Sequence, residues 1–207
     1  MMQQPILFAS PIWKFSEPVP KGSKEWALEY KNANPSVEYS NRGGYQSQQN
    51  FNFNTFPYHE HVKNMMAEFT PFNEFAVVGW WLNINEKGDY NLTHTHPSTD
   101  LAAVWYITDN ENALYFQDPL IQNRSNLYAN ILAQFGEKAN KAFECKAGDL
   151  IVFPSDVPHG VEEHKLDTPR ISVAFNLLAK KLQYGKRSIN GIISYASSGM
   201  FLSVRLF

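Results

Sequence analysis

Short apolar runs separated by turn residues dominate the chain and predict a protein built mainly from β-strands. Two of these runs, Ala113–Gln117 and Ala142–Lys146, give a weaker strand signal than the others. Ala113–Gln117 follows the run Leu101–Ile107 closely enough to predict a hairpin. Such a series of strands, with no alternation of strand and helix, favours an antiparallel sandwich or barrel. The clearest runs, rich in β-branched and aromatic residues, are Phe75–Ile84, Leu101–Ile107, Leu150–Phe153 and Arg170–Leu178.

Helical patterns are confined to the first third of the chain, with one weaker candidate later. Ser23–Tyr30 begins with a residue typical of helix caps and carries Trp26 and Leu28 among charges, which predicts a short helix. Tyr58–Phe69 has apolar residues at helical spacing and predicts a second helix. Ser125–Phe135 is the best further candidate.

The length of 207 residues predicts a single domain, 1–207. We expect a strand-rich core at about 75–178, which the resemblance described below implies is a jelly roll, a helical and extended N-terminal support at 1–74, and a C-terminal tail at 179–207. The tail is apolar without a clear period from Ser188 to Phe207. It could add an edge strand or mediate self-association, so a homodimer is a possible partner state.

Composition and charge exclude several classes of protein. Hydrophobic residues make up 43% of the chain, enough for a sizeable core, and the net charge of −2 argues against a protein that coats nucleic acid. No apolar run has the roughly 18–20 residues of a membrane span. The single cysteine, Cys145, excludes an intrachain disulfide framework and suits a reducing compartment. The N-terminus lacks the pattern of a signal peptide, so we expect a cytoplasmic protein.

The first candidate for chemistry is the pair His94 and His96, just before a predicted strand. On an extended backbone residues two apart point to the same side, so both imidazoles can meet one metal ion. Imidazole binds iron, zinc, copper and nickel, and the pair alone does not name the metal. The alternative is two surface histidines beside the Pro97 turn.

Two further candidates lie later in the chain. His159 follows a strand and a proline-bounded turn, where a side chain can be held at the mouth of a sandwich. Arg170 opens an apolar strand and has Ser172 on the same side. A guanidinium binds a carboxylate through two parallel hydrogen bonds, and a hydroxyl can add a third. The alternative is that Arg170 pairs at the surface with Asp167 or Glu163.

Taken together, these residues resemble the iron(II)- and 2-oxoglutarate-dependent oxygenases: two histidines in His-x-His, a distal histidine, then Arg-x-Ser. The sequence around these residues is similar to that of one branch of this family, found in marine bacteria and their phages. The resemblance covers about residues 43–178. The matching segments are Gly43–Ser47, Gly88–Asn91 leading to His94–Pro97, Val104–Tyr106, Gly148–Ser155 and Arg170–Asn176.

The resemblance implies a double-stranded β-helix enzyme with iron(II) as metal and 2-oxoglutarate as co-substrate. His94, His96 and His159 would hold the metal. Arg170 and Ser172 would bind the distal carboxylate of 2-oxoglutarate, with Tyr106 and Asn176 as further candidates in the same cavity. The reaction would convert 2-oxoglutarate to succinate and carbon dioxide and oxidise a substrate C–H bond, usually by hydroxylation.

The metal set departs from the commonest pattern, which has a carboxylate in the place of His96. Two alternatives are that only His94 and His159 bind, or that Asp100 supplies a carboxylate. The substrate is a small molecule or a protein side chain, and no residue pattern identifies it. Rival classes are a non-catalytic cupin-like binding protein, a structural or phage-assembly protein, and a zinc hydrolase.

Other conspicuous residues have plainer interpretations. His59, His61 and His164 are expected to be exposed, because each lies among polar or charged residues. Trp80 and Trp81 are adjacent on a strand, so one should face the core and the other the opposite surface.

Overall fold

The computed structural model describes residues 10–67, 75–109, 113–119 and 140–180, with three short strands nearer the C-terminus. The helices are α1 (Ser23–Ala33) and α2 (His59–Ala67). The strands are β1 (Trp13–Ser16), β2 (Asn41–Arg42), β3 (Tyr45–Gln46), β4 (Phe75–Asn85), β5 (Tyr90–His94), β6 (Leu101–Tyr106), β7 (Leu114–Gln117), β8 (Asn140–Ala142), β9 (Asp149–Pro154), β10 (His159–Val161), β11 (Arg170–Ala179), β12 (Arg187–Ile189), β13 (Ile192–Ser197) and β14 (Met200–Ser203).

Two antiparallel sheets form a jelly-roll sandwich. The major sheet has the strand order β1-β9-β6-β11-β4-β3, and the minor sheet has the order β2-β5-β10-β7-β8. Buried side chains from β6 and β9 pack against others from β7 to form the core between the sheets. Strands β12, β13 and β14 pair with one another in a separate sheet.

Strand β11 pairs with β4 and β6 in the major sheet, and its side chains point alternately to the two faces of that sheet. One face carries apolar side chains and packs under the helices, while the other lines a cavity between the sheets. The apolar face carries Ile171, Val173, Phe175 and Leu177. The cavity face carries Arg170, Ser172, Ala174 and Asn176.

The helices cover the outer face of the major sheet with an aromatic cluster. The Phe56 ring lies 5.3 Å from Trp80 and 5.4 Å from Trp26, measured between ring centroids. Helix α1 ends where Asn34 becomes extended, as the residue before a proline tends to be. Val62 of α2 is fully buried against this cluster. Burial of these rings fixes the helices on the sheet.

Several predicted elements are confirmed, including both helices and the four clear strands. The predicted hairpin is wrong: β6 pairs with β9 and β11 in the major sheet, whereas β7 pairs with β8 and β10 in the minor sheet. The segment between β6 and β7 therefore connects the two sheets. Closeness in sequence alone does not show whether two strands belong to the same sheet. Residues Ser125–Phe135 lie outside the described part of the chain.

The predicted strand Ala142–Lys146 is also largely wrong, because β8 ends at Ala142. Lys146 and Asp149 instead close a turn: the Asp149 amide donates to the Lys146 carbonyl (3.1 Å), and the Lys146 amide donates to the Asp149 carboxylate (2.9 Å). No helix among the described residues is long and apolar enough to cross a membrane.

The Gly148 turn holds β1 against β9. Gly148 has φ 92°, and a Cβ there would clash with the Glu17 carbonyl oxygen. The neighbouring Asp149 carboxylate accepts hydrogen bonds from Ser16 (2.6 Å) and Lys14 (2.7 Å), which hold its pKa below the usual range despite burial. Glycine is required here for both conformation and space.

We expect Gly148→Ala to lower the free energy of unfolding by more than Gly88→Ala does. Gly88 has the same φ of 92° but open space around its Cβ position, so alanine there carries only the backbone strain of about 1–2 kcal/mol. The difference between the two variants in urea unfolding isolates the clash with Glu17. Equal losses would show that β1 is not held in this way.

Candidate active site

A cavity of about 740 Å³ opens between the two sheets and contains the predicted site residues. Both sheets contribute to its walls. The predicted residues that line it are His94, His96, Tyr106, His159, Arg170, Ser172 and Asn176.

Three histidines converge at one end of this cavity. His94 is the last residue of β5 and lies opposite His159, the first residue of β10, while His96 follows two residues after His94. Their nearest ligand nitrogens all lie within 4.8 Å of one another, and the Nε2 atoms of His96 and His159 are 3.2 Å apart. This arrangement could hold one metal ion with three protein ligands.

Each histidine has its other ring nitrogen hydrogen-bonded to an oxygen. Because the oxygens accept, Nδ1 carries the proton and the Nε2 lone pair remains for a metal. The three hydrogen bonds are His94 Nδ1 to the Leu92 carbonyl (2.8 Å), His159 Nδ1 to the Val157 carbonyl (2.9 Å), and His96 Nδ1 to the Asn176 side-chain oxygen (2.6 Å).

Burial keeps the three imidazoles neutral. Desolvation lowers the pKa of His96 to about 4 and that of His159 to about 3, where nearby His94 lowers it further. The pKa of His94 is lowered for the same reason. Neutral imidazole is the form that binds a metal ion, so these groups need not lose a proton at pH 7.

The structure does not bring Asp100 into this group. Asp100 is exposed, and its carboxylate accepts a hydrogen bond of 2.6 Å from the backbone amide of Ala179. His96, by contrast, lies with the other two histidines. The geometry therefore favours three histidines over a set completed by the Asp100 carboxylate.

Arg170 lies deep in the cavity wall, only 1% exposed. Its contacts include the Glu162 carbonyl (3.3 Å) and the His164 Nδ1 (3.5 Å). The predicted alternative partner Asp167 is bound to Lys87 instead, at 2.8 Å. A surface ion pair with Asp167 is thus not the role of this arginine.

Ser172 and Tyr106 occupy paired positions on β11 and β6 and both line the cavity. Asn176 lines it too, but its amide oxygen is engaged by His96. Asn176 therefore orients a histidine, and a contact with 2-oxoglutarate stays a prediction.

The expectation that His164 is exposed is wrong, since only 1% of its surface is accessible. Its Nε2 donates to the Thr168 carbonyl at 2.6 Å, which leaves Nδ1 to face Arg170. Its backbone amide donates to the Asp89 carbonyl at 2.8 Å. The sequence suggested an exposed histidine because the neighbours Glu163 and Lys165 are charged. These neighbours are exposed, whereas the His164 side chain is buried.

His61 is also less exposed than expected. It packs against Trp105 on the outer face of the major sheet, with ring centroids 5.5 Å apart, and its Nε2 is buried. Cys145 is buried and its thiol contacts the Phe143 carbonyl, in line with a structural role.

Trp81 is a cavity residue that sequence reasoning left undecided. The pattern predicted opposite faces for Trp80 and Trp81, and Trp80 is indeed in the outer core. Trp81 lines the cavity and stacks on His96, with centroids 5.6 Å apart and the planes 29° from parallel. Several amide side chains share this wall: Gln46, Gln49, Asn83, Asn85 and Asn91. The sequence left the roles of Asn83 and Asn91 open and assigned none to Gln46, Gln49 and Asn85.

Comparison with known families gives one match, over residues 79–176, to the family described as "Putative 2OG-Fe(II) oxygenase". The matched segment contains His94, His96, His159, Arg170 and Ser172. No curated protein matches the chain. The family description names iron(II) and 2-oxoglutarate, the metal and co-substrate predicted from the sequence, and the match covers a little less than half of the chain.

Several solved structures have similar folds at low sequence identity. They include SnoK, a non-heme alpha ketoglutarate dependent carbocyclase from nogalamycin biosynthesis (12% identity, 90% of this chain and 82% of that chain, TM-score 0.57). HygX from Streptomyces hygroscopicus, with nickel and 2-oxoglutarate bound, has 12% identity, covers 84% of each chain and has a TM-score of 0.54. A prolyl-4-hydroxylase from Pseudomonas putida has 13% identity over 82% of this chain and 92% of that chain, with a TM-score of 0.51.

At this level of identity the likeness concerns the fold. The two-sheet sandwich with helices on one face is the double-stranded β-helix of these enzymes, and the predicted fold class is confirmed.

Acidification should destabilise the metal-free protein. Unfolded histidine has a pKa near 6.5, so the unfolded chain binds protons that the buried imidazoles of His96 and His159 exclude. Stability is full above about pH 6.5 and falls below it, by up to about 1.4 kcal/mol per pH unit for each histidine. Urea unfolding between pH 7.5 and 4.5 measures this slope.

The variant His159→Gln should reduce the slope, because one titrating group is gone. Gln48→Asn, at an exposed position with no ionisable group, serves as the control and should leave it unchanged. An identical slope in the parent and in His159→Gln would contradict the neutral buried state.

Proposed function

We propose that the protein is an iron(II)- and 2-oxoglutarate-dependent hydroxylase of the branch found in marine bacteria and their phages. The observation that carries the proposal is the convergence of three Nε2 atoms at one end of a cavity that also contains a buried arginine. The family match over residues 79–176 supports the same class.

The donor set fits a catalytic metal. Three neutral nitrogens leave coordination positions open for a chelating co-substrate and dioxygen. The hydrogen bonds to Leu92, Val157 and Asn176 hold each ring in place before the metal binds. His94, His96 and His159 would therefore be the iron ligands.

Arg170 and Ser172 suit the far end of a dicarboxylate. They lie on the cavity face of β11, and Asn176, further along the same face, holds His96. A molecule with an oxo acid at the metal and a second carboxylate at the arginine would span these two ends. The guanidinium would bind that carboxylate through paired hydrogen bonds, and the Ser172 and Tyr106 hydroxyls would add to them.

When bound, iron(II) and 2-oxoglutarate supply the oxidising chemistry: one oxygen atom of dioxygen enters succinate, formed with loss of carbon dioxide, and the other is inserted into a substrate C–H bond. The protein's residues bind and orient the reactants. Apolar side chains of Val104, Phe153 and Ala174 line the cavity and limit the access of water.

The rival classes fit the cavity less well. A zinc hydrolase needs a base beside its metal, and no described residue lining the cavity is Asp or Glu. A cupin-like binding protein would share the histidines but has no need for Arg170 deep in the wall. We further propose that the substrate is a small molecule or a protein side chain. A cytoplasmic location and a homodimer are also proposals.

Replacing His94 or His159 by alanine should abolish most iron binding while the fold is kept, because each supplies one of three ligands. Anaerobic iron(II) titration and elemental analysis measure the loss, and circular dichroism checks the fold. His59→Ala is the matched control. His96→Ala should also lose iron, whereas His96→Asp should keep it, since a carboxylate fits the same place. Parent-like iron content in both His94→Ala and His159→Ala would refute the metal site.

Arg170→Ala should weaken 2-oxoglutarate binding strongly and leave iron binding intact. Truncating one partner of a buried charge pair costs about 2–5 kcal/mol, and Arg170→Lys should recover only part, because an ammonium lacks the fork geometry. The measurement is titration of the metal-to-ligand charge-transfer band in the anaerobic iron-loaded protein.

Pyruvate gives a matched control for the arginine, since it has the oxo acid but no distal carboxylate. Its binding should be the same in the parent and in Arg170→Ala. Unchanged 2-oxoglutarate affinity in Arg170→Ala would remove the co-substrate and favour a cupin-like binding protein.

A further inference from the structure

We propose that the cavity has a second subsite, the amide patch formed by Gln46, Gln49 and Trp81, which binds a neutral carboxamide-type group of the primary substrate. The inference rests on the proposed function for the reaction itself, but the patch is defined by contacts of its own.

Gln46 supplies the main observation. Its side chain lines the cavity wall and is only 7% exposed, and its Oε1 atom has no hydrogen-bond partner among the described residues. Buried side-chain oxygens are seldom left without a donor in native proteins. An N–H group of a molecule in the cavity would satisfy this oxygen.

The backbone places Gln46 there by a turn that requires glycine. Gly43 and Gly44 both have positive φ, 66° and 64°, and they pack against the Asp89 carboxylate. A Cβ on Gly44 would lie 3.0 Å from the Ile84 carbonyl oxygen, tighter than most real contacts. The turn thus brings β3 close beside β4 and directs Gln46 into the cavity.

Gln49 lies beside the metal end of the same wall. Its amide group fills the space where Gly79 has no side chain, and any Cβ there would clash with it. Gly79 is paired in register with Asn176, which binds His96. The Gln49 amide is therefore next to the residue that orients a candidate metal ligand.

Trp81 lies between the two amides. Along the cavity face of β4 the order is Gly79, Trp81 and Asn83, and Asn83 is the register partner of Gln46. The indole also stacks on His96. It offers a flat platform on which a planar group can rest within reach of both amides.

The charges of the cavity select the class of ligand. Among its described lining residues Arg170 is the one permanently charged side chain, and none is Asp or Glu. A cationic group would find no carboxylate there. A carboxamide, which has both a donor and an acceptor edge, can pair with glutamine amides edge to edge. The volume of about 740 Å³ leaves room for such a group beside a small dicarboxylate.

The test compares neutral and charged probes of the same shape. N-acetylglutamine methylamide and uracil represent the two sources of this chemistry, a side-chain amide and a nucleobase lactam, and N-acetylglutamate methylamide is the charged control. Ligand-observed NMR and calorimetry measure binding to the full chain loaded with zinc and 2-oxoglutarate, so that the co-substrate occupies Arg170 and this arginine does not attract the charged control. We expect at least one neutral probe to bind about tenfold more tightly than the charged control, roughly one good hydrogen bond.

Matched variants identify the subsite. Gln46→Met and Gln49→Met should each weaken the neutral probe several-fold, while Gln48→Met, at an exposed neighbouring glutamine, should not. Affinity for 2-oxoglutarate should be unchanged in all three. Equal binding of neutral and charged probes, no binding of either neutral probe, or equal effects of Gln46→Met and Gln48→Met would overturn the amide patch.

The result separates this inference from the proposed function. Loss of 2-oxoglutarate binding is measured at Arg170 and does not involve Gln46 or Gln49. If Arg170→Ala weakens 2-oxoglutarate but the glutamine variants leave probe binding unchanged, the hydroxylase stands and the amide patch fails. If the glutamine variants weaken probe binding while Arg170→Ala leaves 2-oxoglutarate affinity unchanged, the patch stands without the co-substrate.

Discussion

The alternation of side chains along β11 is the constraint on which the rest of the structure depends. The strand must bury apolar residues under the helices on one face and present Arg170, Ser172 and Asn176 to the cavity on the other. A shift of one residue would exchange the two faces completely. Long pairing with β4 and β6 prevents this shift, and a register irregularity between Asn176 and Leu177 lies beside the residue that orients His96. Bulges of this kind often re-aim a side chain next to a functional site.

The fold buries three polar imidazole rings at the candidate site, which costs desolvation free energy, and it holds each ring by a hydrogen bond. Each ring donates its Nδ1 proton to an oxygen already fixed by the backbone or by Asn176, so no ring is free to turn away. In the proposed metal site His96 occupies the place that is usually a carboxylate, so the three protein ligands would carry no charge. In the proposed enzyme the charge on iron(II) would be balanced by the oxo-acid group of 2-oxoglutarate alone, which couples the binding of metal and co-substrate more strongly than a carboxylate ligand would.

Local patterns in the sequence were sufficient for the four clear strands, the two helices and the His-x-His pair, because alternation and spacing act within a few residues. They failed where the partner is distant in the chain. His164 is surrounded by charged residues in sequence, yet its ring points inward to Arg170. The prediction of a β6–β7 hairpin was wrong because β6 pairs with β11 in one sheet and β7 pairs with β10 in the other. Gln46 lies in the segment Gly43–Ser47 that carries part of the resemblance, but the sequence does not show that its side chain faces the cavity, because this depends on the positive φ of Gly43 and Gly44.

The turn at Gly88 and Asp89 links these distant parts. The Asp89 carboxylate packs on Gly43 and Gly44, and so fixes the strand that carries Gln46. The Asp89 carbonyl accepts the His164 amide, and the Gly88 amide donates to the His164 carbonyl, both at 2.8 Å. One turn therefore sets the position of the amide patch and of the loop beside Arg170. Both contacts come from the same turn, in which the Asp89 carboxylate also accepts the Glu86 amide at 2.6 Å, so this turn couples the position of the proposed substrate subsite to that of the proposed carboxylate site.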